Sequence, residues 1–271
     1  MVMPAPHAAV TLENLTVSYR SHPALHHISG RLDTGSLTAV IGPNGSGKST
    51  LLNSIMGLLP LAGGVVDTSV APARIAYLPQ LSDIDRSFPI LVRDCVLLGC
   101  WPQRGAWGGV DADQLALADE ALRAVGLQGF ENRPLGALSS GQMQRVLFAR
   151  LLLQDADLIL LDEPFNAMDS RTTAALLGLI HQWHAQGRTV VAVLHDDTQV
   201  RDHFPQTVLL ARELVAWGPT ASVLTPANLA RARDMAEAWD DTAPLCNVDE
   251  VDDGNSGETL AWPTQPRKAN A

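Results

Sequence analysis

The chain has 271 residues, of which 46% are apolar, enough for one large α/β domain or two small ones, and this excludes a disordered chain. Its formal net charge is −10 and it contains no cluster of Lys and Arg, which argues against nucleic acid as a partner because binding phosphates requires grouped cations. The three cysteines form no CxxC pair, so neither a disulfide framework nor a cysteine zinc site is expected. No run approaches the ~18 consecutive apolar residues of a membrane span, so any membrane role must come through partner subunits.

Strand patterns surround a single helix in the first eighty residues. Alternation of apolar and polar residues predicts half-buried strands at 10–19 and 25–32, and a continuous apolar run predicts a buried strand at 36–41. The apolar spacing predicts a helix over 49–57 that ends at a glycine. A further strand is predicted at 74–78.

The middle of the chain has a different composition. Residues from about 81 to about 138 are rich in Gly, Pro and Trp, and they contain an amphipathic helix rich in Ala and Leu at 111–126. We interpret this region as an inserted, mostly helical subdomain, which spans about 81–150 when most of the following helix is included.

Strands and helices then alternate again. A helix at 141–153 precedes a strand at 158–161, a helix at 171–186 precedes a strand at 189–194, and 207–216 has the pattern of a hairpin. This alternation predicts a parallel sheet covered by helices. Beyond the hairpin, acidic residues scattered among Gly, Ser, Asn and Pro predict a disordered acidic tail at 240–271.

A phosphate-binding loop is predicted between the strand at 36–41 and the helix at 49–57, which is the context that this motif requires. The pattern G-x-x-x-x-G-K-[ST] is complete in Gly42, Pro43, Asn44, Gly45, Ser46, Gly47, Lys48 and Ser49. Glycines allow positive φ and a close approach of backbone N–H groups to phosphates, and the helix N-terminus adds partial positive charge. A chance glycine-rich turn is the alternative, and the completeness and placement of the motif argue against it.

Two side chains of this loop have assigned chemistry. Lys48 is the only lysine in the body of a chain with 17 arginines, and a compact ammonium fits a tight phosphate loop better than a planar guanidinium does. We expect Lys48 to reach the β- and γ-phosphates of a nucleotide and the Ser49 hydroxyl to bind Mg²⁺.

Two acids end the apolar strand at 158–161. The carboxyl end of a strand in an α/β sheet is where ligands bind, so Asp162 is expected to hold Mg²⁺. Glu163 is expected to point elsewhere by strand alternation and to polarise a water molecule. The alternative is a pair of acids that merely caps a strand before Pro164.

With Leu138, Ser139, Ser140, Gly141 and Gln142, here called the signature segment, the sequence resembles the ATP-binding subunits of ABC transporters. The resemblance spans about 10–230. It implies a P-loop NTPase core with a parallel sheet, an N-terminal antiparallel β subdomain and an inserted α-helical subdomain, all within one ATP-binding domain over 8–235. The segment departs from the family at Ser140, where glycine is usual.

The resemblance also assigns roles outside the phosphate loop. Tyr19 is expected to stack on adenine, Gln80 to sense Mg²⁺ and the attacking water, and His195 to contact the γ-phosphate. Asp169 matches a loop that crosses a dimer. The implied catalytic residues are Glu163, His195 and Gln80, and the implied Mg²⁺ ligands are Ser49, Gln80 and Asp162. The implied ATP-binding residues are Tyr19, Gly42, Pro43, Asn44, Gly45, Ser46, Gly47, Lys48, Ser49, Thr50, Ser139, Ser140, Gly141, Gln142 and Asp169.

Family members act as head-to-tail homodimers of ATPase subunits, bound to integral membrane permease subunits and served indirectly by a solute-binding protein. The resemblance therefore implies a peripheral protein on the cytoplasmic face of the membrane. The segments 88–99 and 162–169 resemble those of zinc and manganese importers, so transition metal import is expected. The alternatives are a siderophore, haem or cobalamin importer, a non-transport ABC protein of DNA repair or translation, and a kinase-type P-loop enzyme.

Overall fold

The computed structural model describes residues 7–19, 22–101, 109–166 and 168–237. The acidic tail predicted at 240–271 lies outside these residues. Within them, no helix combines the length and the apolar character needed to cross a bilayer.

A small antiparallel sheet forms the N-terminal part of the fold. Its strand order is β2-β1-β4, with β1 at Ala8–Tyr19, β2 at His22–Asp33 and β4 at Gly63–Thr68. The predictions of β1 and β2 are confirmed. Strand β4 was not predicted, because its exposed and partly buried residues show no long apolar alternation.

A six-stranded sheet lies at the centre, in the order β5-β6-β7-β3-β8-β9. Five neighbouring strands are parallel, and β9 pairs antiparallel with β8, as the hairpin prediction required. The strands β3, β6 and β7 are buried at every position, which is typical of a parallel sheet covered on both faces. The bounds are β3 Leu37–Ile41, β5 Ile75–Leu78, β6 Leu158–Asp162, β7 Thr189–Val193, β8 Gln206–Ala211 and β9 Glu213–Pro219.

Helices cover both faces of this sheet. On one face, α1 fills the space between the two sheets through Leu51, Leu52 and Ile55, which pack with apolar residues of β1 and β3. On the other face lie helices of the middle and C-terminal parts of the chain. The described helices are α1 Lys48–Ile55, α2 Val92–Leu97, α3 Ala112–Ala124, α4 Ser140–Leu153, α5 Ser170–Ala185, α6 Asp197–His203, α7 Thr220–Val223 and α8 Pro226–Glu237.

The chain between β5 and β6 contains, where the structure describes it, helices, turns and one isolated bridge from Leu91 to Pro134. Helices α2 and α3 pack on α4 through buried residues such as Val96, Leu122 and Val146. The amphipathic helix predicted at 111–126 is α3, whose N-terminus carries a capping box between Asp111 and Gln114. The boundaries of the subdomain itself, about 81–150, stay a prediction.

Candidate nucleotide site

The loop between β3 and α1 is held by its own lysine. Lys48 Nζ donates hydrogen bonds of 2.9 Å to the carbonyl oxygen of Gly42 and 2.8 Å to that of Pro43. An ammonium has three protons, so one N–H remains for a phosphate oxygen. Burial lowers the pKa of Lys48, whereas the nearby Glu163 and Asp162 carboxylates act to raise it.

Two glycines of the loop occupy positions that no other residue could take without strain. Gly42 has φ 152°, and a Cβ there would overlap the carbonyl oxygen of Leu210. Gly47 has φ 91°, and its Cβ would lie 2.5 Å from the carbonyl oxygen of Ala24. The loop is therefore wedged between β8 and the antiparallel sheet, with its backbone pressed against both.

A cleft of about 950 Å³ opens above this loop. It brings together residues from distant parts of the sequence. Tyr19 lies at the cleft with 47% of its surface exposed, so its ring is available for stacking. The predicted site residues that line the cleft are Tyr19, Asn44, Gly45, Ser46, Gly47, Lys48, Ser49, Thr50, Gln80, Glu163 and His195.

Glu163 is the centre of a polar group in the cleft. Its Oε1 is 2.8 Å from Nε2 of His195, and its Oε2 accepts a hydrogen bond of 3.3 Å from the Asn166 amide. Burial acts to raise the pKa of Glu163, but hydrogen bonds from His195 and Gln80, together with the charges of His195 and Lys48, hold the pKa below its ordinary value. The carboxylate is therefore ionised at neutral pH and can accept a proton. The contact with His195 was not predicted from the sequence.

Asp162, the last residue of β6, is fully buried. Neither carboxylate oxygen makes a hydrogen bond of ordinary geometry. Burial raises the pKa of Asp162 to about 6, an effect that the Ser49 hydroxyl partly opposes. A buried carboxylate without a partner, next to a hydroxyl group, fits a hard divalent cation that prefers oxygen ligands, and Mg²⁺ is such an ion.

The expectation that strand alternation aims Glu163 is wrong. Strand β6 ends at Asp162, and Glu163 has φ 50°, the left-handed conformation that costs a non-glycine residue about 1–2 kcal/mol. This turn directs the Glu163 side chain to the cleft while Asp162 stays in the sheet. Glu163 lines the cleft and the buried Asp162 does not, but strand alternation is not the reason.

The signature segment lies elsewhere on the surface. Ser139 is the N-cap of α4. Its hydroxyl accepts a 3.3 Å hydrogen bond from the backbone N–H of Gln142, and the side-chain Oε1 of Gln142 accepts one of 3.0 Å from the backbone N–H of Ser139. The S-x-x-Q spacing of Ser139 and Gln142 is the sequence signal of this capping box. Ser139, Ser140, Gly141 and Gln142 line a depression of about 290 Å³.

Asp169 lines the same depression. It is the N-cap of α5, and its Oδ1 accepts a hydrogen bond of 2.8 Å from the Thr172 amide. This bond lowers the pKa of Asp169, so the side chain is a stable anion. The cleft and the depression share no lining residue, so one copy of the chain does not bring the predicted ATP-binding residues together at a single site.

Comparison with known proteins places this geometry in a family. Residues 25–166 match the family described as ABC transporter. The chain belongs to the ABC transporter family. It is an ATP-hydrolysing subunit of such a transporter, as the phosphate loop and the signature segment had indicated. This confirms the expected activity and the resemblance on which it depended.

Curated relatives of this ABC ATPase are transport proteins. The zinc transport system ATP-binding protein TroB of Treponema pallidum is 41% identical over 229 residues, which are 83% of this chain and 86% of that protein. The manganese transport system ATP-binding protein MntB of Listeria monocytogenes is 40% identical over 219 residues, which are 79% of this chain and 91% of that protein.

Solved structures confirm the fold of this ABC ATPase. A 30% identical chain in an inward-facing ABC transporter has a TM-score of 0.73 and covers 84% of this chain and 90% of its own. An ATP-binding cassette solved as a dimer in a post-hydrolysis state, bound to ADP and Pi, is 27% identical with a TM-score of 0.69, over 78% of this chain and 98% of its own. The predicted P-loop NTPase fold is thus confirmed.

Proposed function

We propose that this ABC ATPase hydrolyses Mg²⁺-ATP in a head-to-tail homodimer and powers the import of zinc or manganese. In this proposal it lies on the cytoplasmic face of the membrane, bound to integral membrane permease subunits, and a solute-binding protein delivers the cargo to them. The observation that supports the proposed dimer is that the cleft and the depression lie apart in one copy of the chain and share no lining residue.

Within the cleft, the residues divide the nucleotide between them. The ring of Tyr19 stacks on the adenine, and the backbone amides of 44–50 surround the phosphates. Lys48 donates its remaining N–H to a terminal phosphate oxygen. Ser49, Asp162 and Gln80 would hold Mg²⁺, and the ion would neutralise phosphate charge there.

Hydrolysis then requires a base beside the terminal phosphate. Glu163 is ionised and lies in the cleft, where it orients a water molecule and accepts its proton. His195 and Gln80 hold the Glu163 carboxylate and contact the γ-phosphate and the attacking water. The contact with His195 holds the Glu163 side chain in place despite the cost of its left-handed backbone.

The depression supplies the second half of each site. In a head-to-tail pair, the signature segment of one protomer faces the triphosphate in the cleft of its partner. The N-terminus of α4 and the Ser139 hydroxyl then meet the γ-phosphate, and Asp169 lies at the contact between the protomers. ATP closes the pair because its charge joins two surfaces, and hydrolysis removes that bridge.

The cargo is inferred from relatives, because an ATPase subunit does not contact the transported ion. Proteins about 40% identical over most of both chains are named for zinc and for manganese transport. The segments 88–99 and 162–169 of this chain resemble that group.

Transport by reconstituted protein tests the proposal. The chain is co-purified with its permease subunits in proteoliposomes with ATP inside, and uptake of ⁶⁵Zn²⁺ and ⁵⁴Mn²⁺ is measured in the presence of the solute-binding protein. We expect ATP-dependent uptake of one or both ions, and none with Lys48→Ala. Uptake of a ferric siderophore, haem or cobalamin in place of the free ions would contradict the cargo assignment.

A further inference from the structure

The guanidinium of Arg86 makes one contact that the family resemblance does not account for. Arg86 Nη2 donates a hydrogen bond of 3.0 Å to Oγ of Ser140, between residues 54 positions apart. Both residues are partly buried, and among the described residues Arg86 belongs to no ion pair. Ser140 is the position where glycine is usual in the family, so the acceptor atom exists because this chain departs from the usual residue.

The charge of Arg86 alone does not explain its position. A cation at a helix N-terminus is disfavoured by the helix dipole, and the first turn of α4 contains no acidic residue to offset it. The hydrogen bond to Ser140 is therefore the specific attraction at this point.

The segment that carries Gln80 is joined to α4 at both ends of that helix. At the beginning, Arg86 binds Ser140. Towards the end, Arg150 Nη2 donates a hydrogen bond of 2.6 Å to the carbonyl oxygen of Tyr77. The backbone at Arg86 also lies close to the turn just before α4, because a Cβ on Gly136 would lie 2.9 Å from the carbonyl oxygen of Arg86. Short, direct contacts thus connect the chain near Gln80 to the signature segment and to the helix that follows it.

We infer that Arg86 is a positioning residue: by binding Ser140, it fixes the position of the signature segment relative to Gln80. Binding of ATP in the cleft of one protomer then changes how tightly the signature segment of the same protomer binds its partner's ATP. This inference rests on the proposed head-to-tail dimer. Its direct consequence is that ATP-driven closure depends on Arg86, whereas the binding of ATP to a single protomer does not.

The test measures dimer closure in full-length protein that carries Glu163→Gln, a change that we expect to slow hydrolysis and leave ATP bound. Closure is followed by light scattering as ATP is titrated, and ATP binding to the monomer is followed with a fluorescent analogue at protein concentrations below those of dimerisation. We expect Arg86→Ala to raise the ATP concentration for half-maximal closure by about tenfold, a typical coupling between sites, with monomer affinity and melting temperature unchanged. Arg123→Ala, on the exposed face of α3, is the matched control and should leave closure unchanged.

A double-mutant cycle decides whether the hydrogen bond is responsible. Ser140→Gly should give a similar shift, and Arg86→Ala combined with Ser140→Gly should be no worse than either change alone. If Arg86→Ala folds poorly, Ser140→Gly alone serves as the test: a shift in the ATP concentration for closure supports the inference, and no shift contradicts it. Closure of the Arg86→Ala variant at the parent's ATP concentration, or fully additive effects in the cycle, would overturn the inference. A parent Glu163→Gln protein that does not dimerise with ATP would instead overturn the dimer proposal itself.

Discussion

Asp162 and Glu163 are neighbours in the sequence, yet their surroundings shift their pKa values in opposite directions. Burial in the sheet raises the pKa of Asp162 to about 6, and burial also acts to raise the pKa of Glu163, but the hydrogen bonds from His195 and Gln80 lower it overall. One carboxylate therefore lacks a partner and suits a metal ion, and the other is an ionised acceptor in the cleft. Both side chains are carboxylates, and their surroundings decide which one suits a metal ion and which one suits a proton acceptor.

Replacing Glu163 tests the proposed base. Glu163→Gln keeps the size of the side chain and its contact with His195 but removes the proton acceptor. We expect ATP to bind with nearly wild-type affinity while its hydrolysis slows by at least ~10²-fold, the usual effect of losing a general base. Phosphate release measured against ATP binding separates the two effects, and near-normal turnover would exclude Glu163 from this role.

Replacing Asp162 exposes the energetic cost of its burial. Asp162→Asn removes a charge that burial destabilises, so we expect the free energy of unfolding of the nucleotide-free protein at pH 7 to rise by about 1–3 kcal/mol, in line with the raised pKa. Stabilisation of the protein by ATP with Mg²⁺ should disappear in the same variant. Denaturant unfolding with and without Mg²⁺-ATP measures both, and a less stable nucleotide-free variant would contradict this account.

At the scale of elements, the site is built where strands end and helices begin. The loop after β3 leads into α1, and the two acids stand at the end of β6, with Asp162 as its last residue, so both lie at the carboxyl edge of the parallel sheet. At the separate depression, capping side chains define the starts of α4 and α5, through Ser139 and Asp169. The predicted site residues thus have local structural functions in addition to any contact with ATP.

Gly47→Ala tests the fit of the loop against the antiparallel sheet. The new Cβ would collide with the carbonyl oxygen of Ala24 in a conformation with φ 91°, so the loop must shift. We expect the variant to lose more than ~2 kcal/mol of stability and most of its ATP affinity. Gly57→Ala is the matched control: it has φ 69° but no atom near its Cβ, so only backbone strain of about 1 kcal/mol is expected, with ATP binding intact. Equal effects in the two variants would show that the close approach to Ala24 is unimportant.

Elements with a strong apolar pattern were predictable from the sequence, and several others were not. Strands β3, β6 and β7 are continuous apolar runs, and helices α3 and α5 have apolar residues at helical spacing, and their predictions are confirmed. Helices α2, α6, α7 and α8 and strand β4 were not predicted. Four of these five elements have seven residues or fewer, and α8 has one buried residue, Ala232, so none of the five shows a long apolar pattern along the sequence.

At the scale of the whole molecule, the predicted ATP-binding residues occupy two surfaces. The cleft contains the phosphate loop, Gln80, Glu163 and His195, and the depression contains the signature segment and Asp169. A complete site then needs two copies of the chain, each contributing one surface to its partner, as symmetric pairs allow.

Mixing two inactive variants tests this arrangement. Lys48→Ala removes the phosphate contact in the cleft, and Gly141→Asp places a negative charge at the signature segment, where phosphate is expected. Each variant alone should hydrolyse ATP at a small fraction of the wild-type rate. A mixed dimer has one intact cleft facing one intact signature segment, so we expect the mixture to regain activity, up to about one quarter of that of wild type if the protomers pair at random and the sites act independently. ATPase assays at several mixing ratios measure this, and a mixture as inactive as its components would contradict the head-to-tail pairing.

The sequence by itself determined the P-loop motif, the alternation that builds a parallel sheet, and the membership of the ABC family, because each depends on spacing along a continuous stretch of chain. Only the tertiary structure decided the contacts between residues far apart in the sequence. These include the pairing of Glu163 with His195, the binding of Arg86 to Ser140, and the division of the predicted site between two surfaces. Burial and φ at Asp162 and Glu163 belong to the same class, since pKa values and side-chain directions depend on neighbours that folding brings together and that no local pattern specifies.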